Sequence, residues 1–308
     1  MTRITSKLIR QAMKISPLLP PLLPANRTIE RAVMELKWIK NELPPYEWAN
    51  AVLQRQKLVP LQYILKSQPF GELSIICREG VLIPRWETEE WCIKLIHALK
   101  QIPKQDELSI LDVCTGTGCI PLLMAHELRE YAPQIHGFDV SGKAYELAIE
   151  NLEAYKKKYP HNKVTLNYHL GDVFDAEIIS KLSIPRIDLI TSNPPYIPME
   201  DYVRSARQDG VEKSVRLYEP KLALVGDGEF YYALLQNIVI QSAAEGFIFE
   251  VGYKDQADFV NTEVQKNLNS WKVGIMKDGA SKVRCVLGWK EDGKFDIFNK
   301  LCDYIYDK

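Results

Sequence analysis

Six short, strongly apolar runs, at 108–114, 134–140, 164–170, 187–193, 246–252 and 283–289, divide the chain beyond Arg85. Between or beside them lie stretches with apolar residues at helical spacing, notably 87–100, 119–130, 142–158, 229–244 and 254–268. Runs this apolar are strands buried on both faces, and parallel neighbours need a crossover of about a dozen residues or more. The alternation therefore predicts an α/β fold with a mostly parallel, doubly wound sheet. Ligands of such sheets sit at the carboxyl ends of the strands, so the residues that end each run are the first candidates for chemistry.

What precedes that region is different in kind. Residues 1–29 carry Arg3, Lys7, Arg10, Lys14 and Arg27 and no acid before Glu30. That is the composition of a mitochondrial transit peptide. The other reading is a basic amphipathic first helix, with Leu8, Ile9 and Met13 on one side, followed by a connector through Pro17, Pro20, Pro21 and Pro24. From Thr28 to Ser67 the pattern is helical, with Ile29, Val33, Leu36 and Ile39 at helix spacing, a break at Pro44-Pro45, then Trp48, Val52 and Leu53, so residues 30–68 read as a small helical domain. Residues 69–84 contain two apolar runs, 70–77 and 81–84, separated by Glu79-Gly80, which predict a connecting β-hairpin. The main domain is expected over 85–290, and the tail 291–308 as a short terminal helix.

With 308 residues and 46% hydrophobic content, two such units fit the chain. A net charge of −1 lacks the positive field of a general polyphosphate binder. The six cysteines form no C-x-x-C pair and no histidine cluster accompanies them, so neither a metal site nor a disulfide framework is expected. No run of about 18 apolar residues offers a membrane span.

The first long run ends in Asp112-Val-Cys-Thr-Gly-Thr-Gly118 and opens a helix, with Gly116 and Gly118 where the backbone turns and lets a ligand approach. A dinucleotide loop would carry three glycines, and a carboxylate at Asp112 would repel its pyrophosphate. The ammonium and sulfonium of S-adenosylmethionine would gain from it; alternatively Asp112 caps the loop. Asp139 ends the second run twenty-one residues beyond Gly118, about where a carboxylate accepts from both ribose hydroxyls. After the third run, Asp172 is placed either to accept from an adenine amino group, with Val173 and Phe174 near the ring, or to cap the next helix.

The fourth run passes into Asn193-Pro-Pro-Tyr196. Two prolines fix their own φ and restrain the residue before them, so the segment leaves the sheet stiff and extended. The Asn193 side-chain oxygen and the Pro194 carbonyl can then accept both hydrogens of an incoming NH₂ group, while Tyr196 offers a flat face. An amide or exocyclic amine nitrogen is a poor nucleophile because its lone pair is delocalised. Two acceptors on its hydrogens favour the pyramidal, more cationic nitrogen of a methyl-transfer transition state. No general base is obligatory.

These motifs, together with the 61–65 segment and Phe70, the stretch Val81-Leu-Ile-Pro-Arg-Trp-Glu-Thr-Glu89, residues 215–224, Gly226-Asp-Gly228 and Phe249-Glu-Val-Gly252, resemble the release factor glutamine methyltransferase family. The resemblance covers most of residues 45–290. It implies a seven-stranded, Rossmann-like class I methyltransferase sheet behind an N-terminal helical domain that takes part in substrate recognition, with S-adenosylmethionine as cofactor. It puts cofactor contacts on Cys114, Thr115, Gly116, Thr117, Gly118, Asp139, Asp172, Val173 and Asn193, and the glutamine grip on Asn193, Pro194, Pro195 and Tyr196. Arg85, Glu87 and Glu89 match the segment at the pocket entrance; their simpler reading is the start of the helix at 87–100, where acids suit the dipole.

The implied partner is a class I peptide chain release factor, methylated on the glutamine of its Gly-Gly-Gln motif by a monomer that binds no nucleic acid directly. The basic N-terminus points to the mitochondrial member, with the cytoplasm as the other location. The chain departs from the family at Trp86 and Gly142, where proline is usual, and at Cys114 and Lys66, where glycine is. The competing readings are an adenine methyltransferase on DNA or RNA, a ribosomal-protein glutamine methyltransferase, and a non-catalytic cofactor-binding scaffold. The charge balance disfavours the first of these, and the intact Asn193-Pro-Pro-Tyr196 the last.

Overall fold

The structure is a computed structural model and describes residues 4–104, 107–204 and 210–307. Its centre is an eight-stranded sheet built from β3 (Ser109–Val113), β4 (Gln134–Asp139), β5 (Thr165–Leu170), β6 (Leu189–Ser192), β7 (Gly246–Glu250), β8 (Trp271–Lys277), β9 (Val283–Lys290) and β10 (Tyr304–Ile305). Across the sheet the order is β10-β8-β9-β7-β6-β3-β4-β5. Strands β3 to β7 run parallel, and β8, β9 and β10 are antiparallel to their neighbours.

The chain moves from β3 to β4 and β5 on one side, then returns to place β6 against the other side of β3. That reversal is the topological switch point, where the loops leaving adjacent strands part and open a crevice. Register makes the crevice specific. Val113 stands opposite both Phe138 and Ser192, and Ser192 opposite Phe249. Cys114, Asp139, Asn193 and Glu250 therefore reach the carboxyl edge at the same level.

All six runs read from the sequence are strands. The sheet has eight strands rather than seven, because the tail expected as a helix makes a short 3₁₀ turn at Asp296–Lys300 and then adds β10 to the edge of β8. A second correction concerns the hairpin. Its strands are β1 (Ser67–Phe70) and β2 (Leu73–Ile76), and Val81–Pro84 is not a strand. Gly71, at φ +57°, takes the first position of a two-residue turn, the place such a hairpin reserves for glycine.

Ahead of the hairpin, helices Ser6–Ile15, Ile29–Glu42, Trp48–Gln56 and Leu61–Leu65 enclose a core of their own. Ala12, Leu19, Leu22 and Leu23 are fully buried there beside Ala32, Leu36, Ile39 and Val52. The segment expected as a separable basic leader thus packs as part of the helical module; Arg3 lies outside the described residues. The module is fastened to the connecting stretch by a hydrogen bond from Tyr63 to the Val81 carbonyl (2.8 Å), and to the main domain by Ser214 to the Leu58 carbonyl (2.7 Å) and Tyr218 to the Lys57 carbonyl (2.9 Å). Among the described residues no helix is long and apolar enough to cross a membrane.

Candidate active site

A cavity opens at the switch point. It is lined on the β3 side by Cys114 and Gly116, on the β4 side by Phe138, Asp139, Val140 and Ser141, and on the β5 side by Gly171, Asp172, Val173 and Phe174. Asn193 and Pro195 close it from β6; Gly80, Val81 and Leu82 from the stretch before helix Trp86–Leu99; and Pro220, Leu222, Ala223 and Phe230 from the other rim.

The loop after β3 takes left-handed backbone at alternate residues: Cys114 at φ +60°, Gly116 at +55° and Gly118 at +76°. The two glycines serve different ends. A Cβ on Gly116 would meet nothing within 4 Å, so the bare backbone faces open space where a ligand can come close. A Cβ on Gly118 would collide with the Tyr168 hydroxyl, so that glycine is required by packing. Asp139 holds the loop in shape, its carboxylate accepting from the Gly116 amide and the Ser141 amide, each at 2.9 Å. Desolvation raises its carboxyl above the usual range, while those two amides pull it back.

Asp172 accepts from the Phe174 amide at 3.0 Å, a local turn rather than a helix cap, since the next helix begins at Ile178. Phe174 meets Phe230 edge-on, ring centroids 4.9 Å apart, and Asn237 holds the Val173 carbonyl at 2.9 Å. A planar ring beside Val173 would have an aromatic wall already ordered.

Asp112 lies apart from these residues. It is fully buried and does not line the cavity. Strand alternation turns it toward the face shared with Ile110, where one oxygen accepts from Thr191 (2.6 Å) and Oδ2 has no partner among the described residues. Burial pushes its carboxyl up to about 7, against the pull of the Thr191 hydroxyl. Thr115, Thr117 and Gly118 also stand behind the loop rather than on the cavity wall.

Pro194 and Pro195 are buried, and Pro195 and Asn193 face the cavity. Tyr196 does not line it; the ring lies over Gly252, where a Cβ would sit 2.7 Å away, and its backbone oxygen accepts from Gln256 at 2.8 Å. Its hydroxyl donates to Glu250 at 3.1 Å. Glu250 is fully buried and also accepts from Trp91 (2.7 Å) and Thr88 (2.6 Å), while Thr88 accepts from the Asn193 side-chain nitrogen at 3.1 Å. Burial raises the Glu250 carboxyl above its ordinary range, opposed by the Thr88, Trp91 and Tyr196 donors.

Arg85, Glu87 and Glu89 do not line the cavity either. Arg85 pairs with buried Glu219 at 2.7 Å, and Glu219 also accepts from the Ile83 amide. This ties the stretch before the helix to the segment bearing Pro220, Leu222 and Ala223. Glu87 and Glu89 occupy the first turn of helix Trp86–Leu99, as the dipole favours. Thr88 and Glu250 fall inside two of the resembling motifs but were assigned no site role from the sequence, although each carries a signal: a hydroxyl on the buried helix face of Trp91 and Leu95, and an acid inside an apolar strand. Each needs a partner when buried.

Among the described residues, Glu72, His126 and Glu127 bring potential ligand atoms within 4.8 Å of one another. They sit at the far end of helix Cys119–Glu127 from the loop, where Lys100 already pairs with Glu127.

The fold and this edge define an S-adenosylmethionine-dependent methyltransferase: the methyltransferase small domain family model matches residues 95–238. The hMettl16 catalytic domain, solved in complex with MAT2A 3'UTR hairpin 6, superposes with a TM-score of 0.52 at 18% identity, covering 79% of this chain and 81% of that one. At that identity the likeness concerns the fold alone. Two sequence relatives go further. The mitochondrial MRF1 N(5)-glutamine methyltransferase MTQ1 of Saccharomyces cerevisiae is 40% identical over 314 residues, 98% of this chain and 93% of that one. A probable MRF1 mitochondrial N(5)-glutamine methyltransferase of Schizosaccharomyces pombe is 37% identical, covering 90% and 94%. The chain belongs to the release factor glutamine methyltransferase family.

The cavity suits the family's cofactor: open backbone at Gly116, a carboxylate at Asp139 and an aromatic wall at Phe174 and Phe230. When bound, S-adenosylmethionine supplies the methyl group.

Proposed function

We propose that this protein methylates the side-chain amide nitrogen of the glutamine in the Gly-Gly-Gln motif of a mitochondrial class I release factor. The observation that supports it most is that Asn193, on a proline-braced strand exit, borders the same cavity as Asp139 and Gly116. Gly116 and Asp139 hold the cofactor's polar end and ribose, Asp172 and Val173 its adenine. The Asn193 side-chain oxygen and the Pro194 carbonyl take the two amide hydrogens of the glutamine and direct its nitrogen lone pair at the methyl group. Tyr196, held by Glu250 and Gly252, braces the tetrapeptide from behind. The reading includes a monomer that does not bind nucleic acid directly, which the net charge of −1 suits.

The test is label transfer from S-adenosylmethionine to a release factor, with and without its Gly-Gly-Gln glutamine replaced. Label is expected only on the unreplaced factor; label that ignores the glutamine would favour a nucleic-acid or ribosomal-protein substrate.

The two fungal relatives are named as mitochondrial, and the basic first helix suits import. Since Leu19, Leu22 and Leu23 belong to the module core, each contributing about 1.5–3 kcal/mol by burial, the imported enzyme keeps them. Sequencing its N-terminus should find a start before Leu19; a start after Asn26 would show that the module folds without them.

A further inference from the structure

The mechanism above needs the Asn193 carboxamide to present oxygen, not nitrogen, to the glutamine. An asparagine on a solvent-lined edge can turn its carboxamide by half a turn at little cost, and the flipped form would set NH₂ against NH₂. Prolines at 194 and 195 fix the backbone but say nothing about that last torsion.

The direction is set by a chain of hydrogen bonds that favours one polarity. The Trp91 indole N–H can only donate, so Glu250 Oε2, at 2.7 Å, must accept. The Thr88 hydroxyl lies 2.6 Å from that same oxygen and has a single proton to give it. Oε2 already faces two donors at short range, so a proton on the Glu250 carboxyl is better placed on Oε1, facing Tyr196 at 3.1 Å, where it leaves Oε2 accepting as before. With its proton spent, Thr88 Oγ can only accept from Asn193, which lies 3.1 Å away through its nitrogen. The carboxamide oxygen is then held on the opposite side. Thr88 is itself 2% exposed, so water does not compete for these positions.

We infer that Thr88, anchored by Glu250 and Trp91, is a positioning residue that fixes which end of the Asn193 carboxamide meets the substrate amide. The inference rests on the glutamine-methylating reading but can fail separately from it. It also explains why a hydroxyl residue lies on the otherwise apolar face of helix Trp86–Leu99, three residues before Trp91.

Two measurements test it. In steady-state methylation of a release factor, Thr88→Val keeps the shape and removes the hydroxyl. It should lower kcat about 10- to 100-fold while S-adenosylmethionine affinity by calorimetry and KM for the factor stay within about threefold. Thr88→Ser, which restores the hydroxyl, should return kcat to within about threefold of the parent. A Thr88→Val enzyme at full kcat, or a Thr88→Ser enzyme as slow as Thr88→Val, overturns the inference. The second measurement needs no variant: by NMR, the Asn193 side-chain NH₂ of the unaltered protein should show one proton slowed in solvent exchange relative to the other. Two protons exchanging equally fast overturn it, whatever the substrate. Absence of glutamine label with the unaltered enzyme would instead defeat the functional reading and leave the NMR result standing.

Discussion

Two strand exits meet at the switch point, and they solve opposite problems. The loop leaving β3 takes left-handed backbone at alternate residues, with Gly116 bare toward the cavity. The segment leaving β6 has two prolines and a side chain tied into a buried hydrogen-bond chain. A ligand approached by main chain needs side chains out of the way, so the first exit gives up Cβ atoms and accepts unusual φ. A ligand gripped by a side chain needs that side chain in one orientation, so the second gives up freedom at every torsion. Buried polar atoms follow the same division: Glu250 has three donors, whereas Asp112 behind the first exit has one oxygen unpartnered.

The contrast can be broken at the β3 exit, starting with the largest effect. Gly118→Ala puts a Cβ into the Tyr168 hydroxyl at φ +76° and should cost about 4 kcal/mol in chemical denaturation; a loss under about 1 kcal/mol would mean the loop relaxes freely. Asp112→Asn should act through pH. The folded carboxyl titrates at about 7 against 3.8 unfolded, so the native state binds the extra proton between those values. Stability from this group therefore falls as pH rises from about 4 to 7 and stays low above. The asparagine variant should match the parent near pH 4 and exceed it by up to about 4 kcal/mol at pH 8, and an equal gap at both pH values would remove the burial argument.

Gly116→Ala, with the same left-handed backbone but open space, should cost only about 1 kcal/mol in stability while weakening cofactor binding in calorimetry. Unaltered cofactor affinity would put the ligand elsewhere. Cys114→Gly is the smallest change: it relieves a side chain at φ +60° and should gain about 0.5 kcal/mol after the entropy of the added glycine. A clear loss would show that the thiol is needed for packing.

Much of this was legible from residue patterns, and the failures have physical causes. Apolar runs marked six strands: β3, β6 and β7 are buried on both faces and cannot hide their composition, whereas β5, at the sheet edge, was expected to be buried on both faces and instead alternates buried with exposed residues. Strand β8 escaped because Lys272 and Gly274 interrupt it, and β10 because an edge strand of two residues carries no pattern. The hairpin was misplaced by a residue choice: Glu79-Gly80 looks like a turn, and Gly80 does have positive φ, but the ladder closes at Gly71.

The four departures from the family become intelligible in three dimensions. Cys114 and Lys66 sit at φ +60° and +63°, where glycine is free of strain. Trp86 and Gly142 are first residues of helices, where proline is pre-set. At the site, residues that end strands were readable because the fold puts ligands there. Thr88 and Glu250 were not, since their importance lies in a contact across 162 residues of sequence.

The most direct measurement is the kinetics of Asn193→Ala on a release factor, with cofactor affinity measured alongside. Loss of one transition-state acceptor should slow kcat by about 10²-fold or more, with S-adenosylmethionine bound nearly as tightly as before. A variant that turns over within a few-fold of the parent, or one that loses its cofactor instead, would contradict the account of a carboxamide oxygen that grips the substrate amide.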